Sequence, residues 1–292
     1  MDLPQSVSAV AAVLADGGQP EPAPELFHDR DVFAAEFARV FLRPWLAADH
    51  VSRLAEDGRY FLVEAAARSL MITRESATSF HALRNTCIHA GYPVCEDEEG
   101  EADRLLCPYH GWRYAIDGRL LEPRLSAEQE TSPRYRLTSY PVHVAAGLFF
   151  LDPSGTAEGS PPVAALPEWL EGASVSKRRR FETSWNWKHL RHYLWSAPEL
   201  FSACAVDAVV ELGPLCRLLA SDEEAVLLQL IPRSAERSDF RMVQIAAAPN
   251  AARGLAEDRI AAGLAQAGER IAAGPLAFLD RDFFLWYAGL MS

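Results

Sequence analysis

Residues 87–112 constrain this chain more than any other stretch. They hold Cys87-Ile88-His89 and, after a long intervening segment, Cys107-Pro108-Tyr109-His110-Gly111-Trp112. Two thiolates and two imidazoles suit two kinds of metal centre. One is a tetrahedral zinc site. The other is a two-iron, two-sulfide cluster in which two Cys hold one iron and two His the other. Zinc fingers usually pair like with like, Cys with Cys and His with His. Here each pair is mixed. A mixed pair lets one short loop reach both irons, and two such loops clamp a cluster from both sides.

The pattern extends beyond the four residues. Arg84-Asn85-Thr86-Cys87-Ile88-His89-Ala90-Gly91, and Cys107 through Tyr114 followed by Asp117-Gly118, resemble the Rieske domain of ring-hydroxylating oxygenase alpha subunits. The resemblance implies an antiparallel all-β domain and a Rieske [2Fe–2S] cluster on Cys87, His89, Cys107 and His110. Cytochrome-bc-type Rieske proteins carry an extra Cys in each loop, and the two form a disulfide. Those positions look like Tyr92 and Tyr109 here, which points to the oxygenase and ferredoxin branch. Cys95, the remaining nearby thiol, reads as a small buried apolar residue.

The rest of the composition bounds the setting. At 292 residues the chain is long enough for two domains with cores of their own. Hydrophobic content of 49% and charged content of 23% fit a soluble globular protein. A formal net charge of -12 argues against nucleic acid and against an anionic membrane surface. Five cysteines show no disulfide framework, so a cytoplasmic location is the expectation. The N-terminal stretch reads as no signal peptide, and no apolar run reaches the length of a membrane span.

Along the chain, residues 1–40 read as an N-terminal segment with a helix over Asp29–Phe41, since Val32, Phe33, Phe37, Val40 and Phe41 recur at helical spacing. Residues 41–155 form the expected Rieske domain. Its candidate strands are Arg59–Glu64, Ser69–Arg74, Ser79–Arg84, Arg104–Cys107, Trp112–Ile116, Leu137–His143 and Gly147–Leu151, with Asp117-Gly118 as a hairpin turn. The acidic run Glu96–Glu101 reads as a solvated hairpin tip. Pro, Gly and Ser over residues 152–168 mark a linker.

Residues 156–292 then read as an α+β domain. Lys177–Arg180 is expected on the exposed side of a strand or its lead-in, with a salt bridge to a partner subunit as an option. Val226–Ile231 and Phe240–Ala248 read as strands, Arg233–Ser238 as a turn, and Ala251–Ala273 as a helix. Leu279–Met291 looks like the family's final helix. Asn186-Trp187-Lys188 resembles the Asn-Trp-Lys that opens the oxygenase catalytic domain. The fold class expected is therefore α+β: an all-β Rieske domain followed by a reduced helix-grip, oxygenase catalytic-like domain.

In the family, that second domain holds a mononuclear iron on two His and one carboxylate. The two His follow Asn-Trp-Lys as His-x₄-His. In this chain the corresponding stretch, Tyr193 to Cys204, contains no His, and Pro198 interrupts it. His189 and His192 share a helical face, with Glu199, Asp207, Asp280 and Asp282 as carboxylates to complete a site. The pair lies about 10 Å too early along a helix, and roles as surface or interface polar residues suit it better. Trp185, Trp187 and Trp195 read as core.

Two functions follow as expectations. One is a Rieske [2Fe–2S] electron-transfer subunit that feeds the mononuclear Fe(II) of a partner subunit, receives electrons from a reductase or ferredoxin, and assembles in a trimer-type ring. The other is an active oxygenase, a hydroxylase or demethylase, with iron rebuilt on His189, His192 and Asp282.

Overall fold

The N-terminal helices are tied to the far end of the chain rather than to the residues that follow them. In the computed structural model, the described residues are 4–18, 23–43, 45–65, 68–124, 126–130, 132–163, 165–196, 206–248, 257–273 and 281–291. Helix α1 (Gln5–Ala15) buries Val7, Val10 and Leu14, one stripe at helical spacing. After the short α2 (Glu25–His28), Asp29 caps α3 (Arg30–Glu36) by accepting from the N–H groups of Asp31 and Val32. The chain then widens into a π-helical turn, Phe37–Phe41. The helix expected over Asp29–Phe41 is thus two helical forms in series. All of these pack into the core of the second domain.

The first part, the expected Rieske domain, begins with β1 (Leu46–His50), β2 (Arg59–Ala65), β3 (Arg68–Ser76), β4 (Ser79–Arg84) and β5 (Glu99–Glu101). Short strands follow: β6 (Leu105–Leu106), β7 (Arg113–Tyr114) and β8 (Leu120–Glu122). A single turn, α4 (Ala127–Glu130), leads to β9 (Ser139–Tyr140), β10 (Val142–Ala145) and β11 (Leu148–Leu151). Three antiparallel sheets result, in the orders β5-β2-β3-β4-β9, β1-β11-β10 and β6-β7-β8. β11 is an uninterrupted apolar run because both faces are covered. Leu148 and Phe150 face the second domain's core, while Phe149 and Leu151 face the Rieske core.

The second part carries β12 (Ser174–Thr183), α5 (Trp187–Ser196), β13 (Ala208–Glu211), β14 (Cys216–Ala220), β15 (Glu224–Ser234) and β16 (Arg237–Ala246), then α6 (Glu257–Ala273) and α7 (Arg281–Met291). Its antiparallel sheet runs β12-β16-β15-β14-β13. Strand content and order agree with the α+β class read from sequence. The expected turn over Arg233–Ser238 is mostly strand: β15 and β16 stay paired from Ser234 and Arg237 onward. Residues 251–256 and 279–280 of the two expected helices lie outside the described residues.

One buried carboxylate locks three elements together. Glu36, at the end of α3, accepts from Lys188 Nζ at 2.5 Å, from Trp187 Nε1 at 2.7 Å and from the Tyr287 hydroxyl at 2.7 Å. Lys188 is fully buried, and the rings of Phe27, Trp187 and Tyr287 lie 5.3 Å from its nitrogen. Buried charge is tolerated here because it is both paired and hydrogen-bonded.

A second set of charges joins the two parts of the chain. Arg178 on β12 reaches Glu99 at 2.9 Å and lies 3.7 Å from the buried Asp49. Arg180 pairs with Asp239 at 2.6 Å and Glu64 at 3.4 Å. The basic run does lie on a strand, but Arg178 and Arg180 make ion pairs within this chain. The acidic run is likewise more than a hairpin tip: Glu99–Glu101 is a strand paired to β2, and Glu99 bridges Arg53 and Arg178.

Candidate metal centre

The two loops of the Cys/His motif close in the same way. In the first, the Cys87 N–H donates to Tyr92 O at 2.7 Å, and the Gly91 N–H donates to Cys87 O at 2.9 Å. In the second, the Cys107 N–H donates to Trp112 O at 2.9 Å, and the Gly111 N–H to Cys107 O at 3.0 Å. Gly91 and Gly111 take φ of 74° and 73°, a left-handed turn that a side chain would strain. Each loop is therefore a Cys, a Gly four residues on and an aromatic at the fifth. The His sits two residues after the Cys in one loop and three after it in the other.

The result separates the two donor types by depth. Cys87 and Cys107 are buried in the lobe's core with Met71, Leu83, Leu105 and Tyr114, and their side chains are within hydrogen-bonding reach of each other. His89 and His110 are exposed, with ring centroids 4.6 Å apart. The Trp112 ring from the second loop stacks flat on His89 of the first, at 4.6 Å and 8°. Tyr92 and Tyr109 stack on each other at 5.2 Å. Two aromatic rings thus meet at the positions where a disulfide was not expected.

Polar groups converge on the sulfurs. The Tyr114 hydroxyl lies 3.1 Å from Cys87 Sγ and accepts the Ile88 N–H at 3.3 Å, which leaves its own proton for the sulfur. Burial pushes the Cys107 thiol up; the N–H groups of Tyr109 and His110 pull it back, and the Cys87 sulfur adds to the rise. Donors aimed at sulfur favour its thiolate form, the form that binds metal. Asn85 secures the return segment: its Oδ1 accepts from Val94 N and Cys95 N at 2.9 and 2.8 Å, and its Nδ2 donates to Cys95 O. Cys95 itself is buried against Tyr60, and burial pushes its thiol to about 11. Tyr114 and Trp112 were visible in sequence only as the tail of the motif. The inward role of Tyr114 follows from β7 alternation, Arg113 out and Tyr114 in.

The donor set fits a [2Fe–2S] cluster, with two buried thiols on one side and two adjacent imidazoles on the other. Among the described residues no three His, Cys, Asp or Glu side chains gather as a single metal ion would need. A two-iron cluster asks for only two protein ligands per iron.

The second candidate set is dispersed. His189, expected as a surface or interface residue, is instead buried on α5, because that face of the helix packs on the N-terminal helices; it stacks flat on Phe27, ring centroids 4.4 Å apart. His192, one turn later, meets the edge of Phe283 at 6.1 Å. Asp282 is exposed on the first turn of α7, and Asp207 precedes β13. Glu199, Asp280, Pro198 and Cys204 lie outside the described residues. Further along α5, Trp195 lies between the guanidiniums of Arg191 and Arg217, each 4.9 Å from its ring, and donates to Glu211 at 2.9 Å. Arg191 also lies 3.5 Å over the Trp286 ring. Trp187 is core, as expected, and Trp195 is part of this half-open polar stack.

Comparison with known proteins agrees with these features. The Rieske [2Fe-2S] domain model matches residues 44–141. The glycine betaine monooxygenase oxygenase subunit of Pseudomonas aeruginosa (strain UCBPP-PA14) is 28% identical over 177 residues, 56% of this chain and 40% of that protein. The benzene 1,2-dioxygenase subunit alpha of Pseudomonas putida is 31% identical over 105 residues, 36% of this chain and 23% of that protein. The matched part thus spans less than half the length of these relatives. Among solved structures, a quaternary ammonium Rieske monooxygenase, described for carnitine oxidation and inter-subunit electron transfer, superposes with TM-score 0.64 at 17% identity, covering 92% of this chain and 85% of that one. Naphthalene 1,2-dioxygenase from Rhodococcus sp. gives 0.57 at 15% identity, covering 82% and 76%. Residues 44–141 thus match a Rieske [2Fe-2S] domain, and the fold of the chain is similar to that of these Rieske oxygenases.

Proposed function

We propose that this chain is an electron-transfer subunit of an oxygenase-type system. In this reading Cys87, His89, Cys107 and His110 hold the cluster, the Rieske domain ends near residue 155, and the second domain lacks the usual iron site. When bound, the cluster supplies one-electron transfer at a potential set by its ligands and by hydrogen bonds to its sulfurs. The loops fix the ligands through their paired backbone bonds. Tyr114, and the N–H groups of Tyr109 and His110, stabilise charge on the sulfurs. The exposed edges of His89 and His110 form the path out, toward the mononuclear iron of a partner subunit in a mixed ring. A reductase or ferredoxin is the donor.

The observation that carries this reading is the supply of imidazoles. No His follows His192 anywhere in the sequence. Within residues 156–292 a two-His iron site has only His189 and His192 to draw on, and among the described residues no third His, Cys, Asp or Glu side chain gathers with them.

The alternative, an active hydroxylase or demethylase, draws support from the oxygenase names of the relatives. Iron counting separates the two. Electron transfer alone predicts about two irons and two acid-labile sulfides per chain after anaerobic reconstitution. A third tightly bound iron that disappears in His189→Ala or His192→Ala overturns the proposal. Co-purification with a longer homologue that carries His-x₄-His supports it.

A further inference from the structure

Where the second domain's sheet faces the Rieske domain, like charges are set against one another. Arg178 and Arg180 alternate along β12 on one face, and Arg241 of β16 is the direct cross-strand neighbour of Arg180. Like charges directly opposite in a sheet destabilise it unless something lies between them. Carboxylates account for part of this. Asp49 and Glu99 serve Arg53 and Arg178, while Glu64 and Asp239 serve Arg180 and Arg233. Arg241 forms no hydrogen bond or ion pair among the described residues, although Asp49, Glu64 and Glu98 act on it at longer range. Two further donors, Arg53 Nε and Arg178 Nη1, are buried without a hydrogen-bond partner.

These groups border one cavity of about 100 Å³, between Arg53, Arg178, Arg179, Arg180 and Arg241, with Glu98 and Leu62 completing its wall. Glu98 is exposed, and its carboxylate makes no hydrogen bond or ion pair among the described residues. Guanidiniums present planar forks of donors that match the oxygens of a phosphate. The volume suits one such group and no larger ring system.

We propose that this cavity at the domain junction binds a phosphate group, either inorganic phosphate or the head of a small phosphate monoester. Arg241 is its central ligand, Arg53 and Arg178 supply the buried donors, and Arg179 and Arg180 close the rim. Glu98 adds selectivity. A hydrogen phosphate has an O–H to give to that carboxylate, whereas sulfate has none and meets only repulsion. Bound anion also neutralises the Arg180/Arg241 opposition and so braces the Rieske domain against the second domain. Burial pulls the Arg241 guanidinium below its ordinary range, against the opposing pull of Asp49, Glu64 and Glu98. The site is independent of the cluster's role.

The test uses the full chain with its cluster assembled. Thermal unfolding and titration calorimetry are run with sodium phosphate, glycerol phosphate, sodium sulfate and sodium chloride at matched ionic strength. Saturable binding and a raised melting temperature with phosphate, weaker with sulfate and absent with chloride, is the expected result. Glycerol phosphate binding as well as phosphate identifies a monoester site; inorganic phosphate alone identifies a free-ion site. Arg241→Met is expected to weaken binding by roughly tenfold to a hundredfold, the worth of a charge-assisted contact. Glu98→Gln is expected to narrow the preference for phosphate over sulfate. Equal responses to phosphate, sulfate and chloride in the unaltered protein overturn the proposal. So does full-strength binding in Arg241→Met; should that variant not fold, Arg179→Ala and the wild-type salt series decide.

Discussion

Two places in this molecule each offer a pair of imidazoles, and they are built in opposite ways. In the Rieske domain, His89 and His110 come from separate loops, stand exposed and meet at 4.6 Å. Behind them lie two buried thiols. On α5, His189 and His192 come from one helix. The first is buried flat on Phe27, and the second meets the edge of Phe283. The difference shows what a ligand pair needs beyond residue type. Backbone turns must aim both side chains at one point, with two further donors behind them. The loops meet this through Gly91 and Gly111 over the buried Cys87 and Cys107; among the described residues no third donor gathers with the helix pair.

The largest test of that contrast removes one group from each side. Cys107→Ser is expected to abolish the cluster, leaving no visible absorbance and iron near zero. His189→Ala and His192→Ala are expected to leave the iron count at about two. Iron analysis on all three decides. Loss of iron in the helix variants would break the comparison, because both pairs would then be ligands.

Next in size is the buried carboxylate under α5. Glu36→Ala strands the Lys188 ammonium, which is fully buried. Removing one partner of a buried pair costs about 3–5 kcal/mol. The loss is expected in chemical denaturation followed by tryptophan fluorescence, since Trp187 bonds the same carboxylate. The Rieske absorbance should survive to higher denaturant than the Trp signal. Lys188→Met added to Glu36→Met should recover most of the loss, because an apolar pair carries no uncompensated charge.

The Rieske half was the more legible from sequence because its information is local. Ser79–Arg84 matched its strand at both ends, and Arg59–Glu64 and Ser69–Arg74 matched theirs within two residues. Strand β1 was missed: Leu46-Ala47-Ala48-Asp49-His50 lacks β-branched residues and pairs with β11 for tertiary reasons. The ion pairs of Arg178 and Glu99 were missed for the same kind of reason. Their partners lie 79 residues apart in sequence, and charge runs carry no record of what they meet. Trp112 over His89 was equally hidden, since ring stacking between loops has no spacing rule. The π-helical turn at Phe37–Phe41 had no signal distinct from an ordinary amphipathic helix.

A smaller effect sharpens the role of the cluster lobe. Tyr114→Phe removes a hydroxyl 3.1 Å from Cys87 Sγ and leaves the buried ring in place. A donor to sulfur stabilises the more negative, reduced cluster, so its loss lowers the potential. A net hydrogen bond of about 0.5–1.5 kcal/mol corresponds to a drop on the order of 20–60 mV for one electron. Redox titration followed by absorbance reads it. An unchanged potential with an intact cluster would show that the hydroxyl serves Ile88 N–H alone.

The smallest effect concerns acid. Asp117 anchors the turn after β7, the strand that carries Tyr114. Burial pushes its carboxyl up, but Arg119 at 2.7 Å and Arg136 at 3.4 Å prevail and hold it below the usual range. A carboxyl with a depressed folded value contributes stability that is present above its unfolded value, near 3.9, and lost as pH falls through the folded one. Arg119 is half exposed, so solvent screens the pair and the contribution stays below about 1 kcal/mol. Asp117→Asn is therefore expected to lower stability slightly at neutral pH and to flatten the acid limb below about pH 4. Cluster absorbance should report that change, and the Trp187 fluorescence of the second domain should not. If both signals shift together, the two halves unfold as one unit, and the ion pairs of Arg178 and Arg180 couple them more strongly than their separate cores imply.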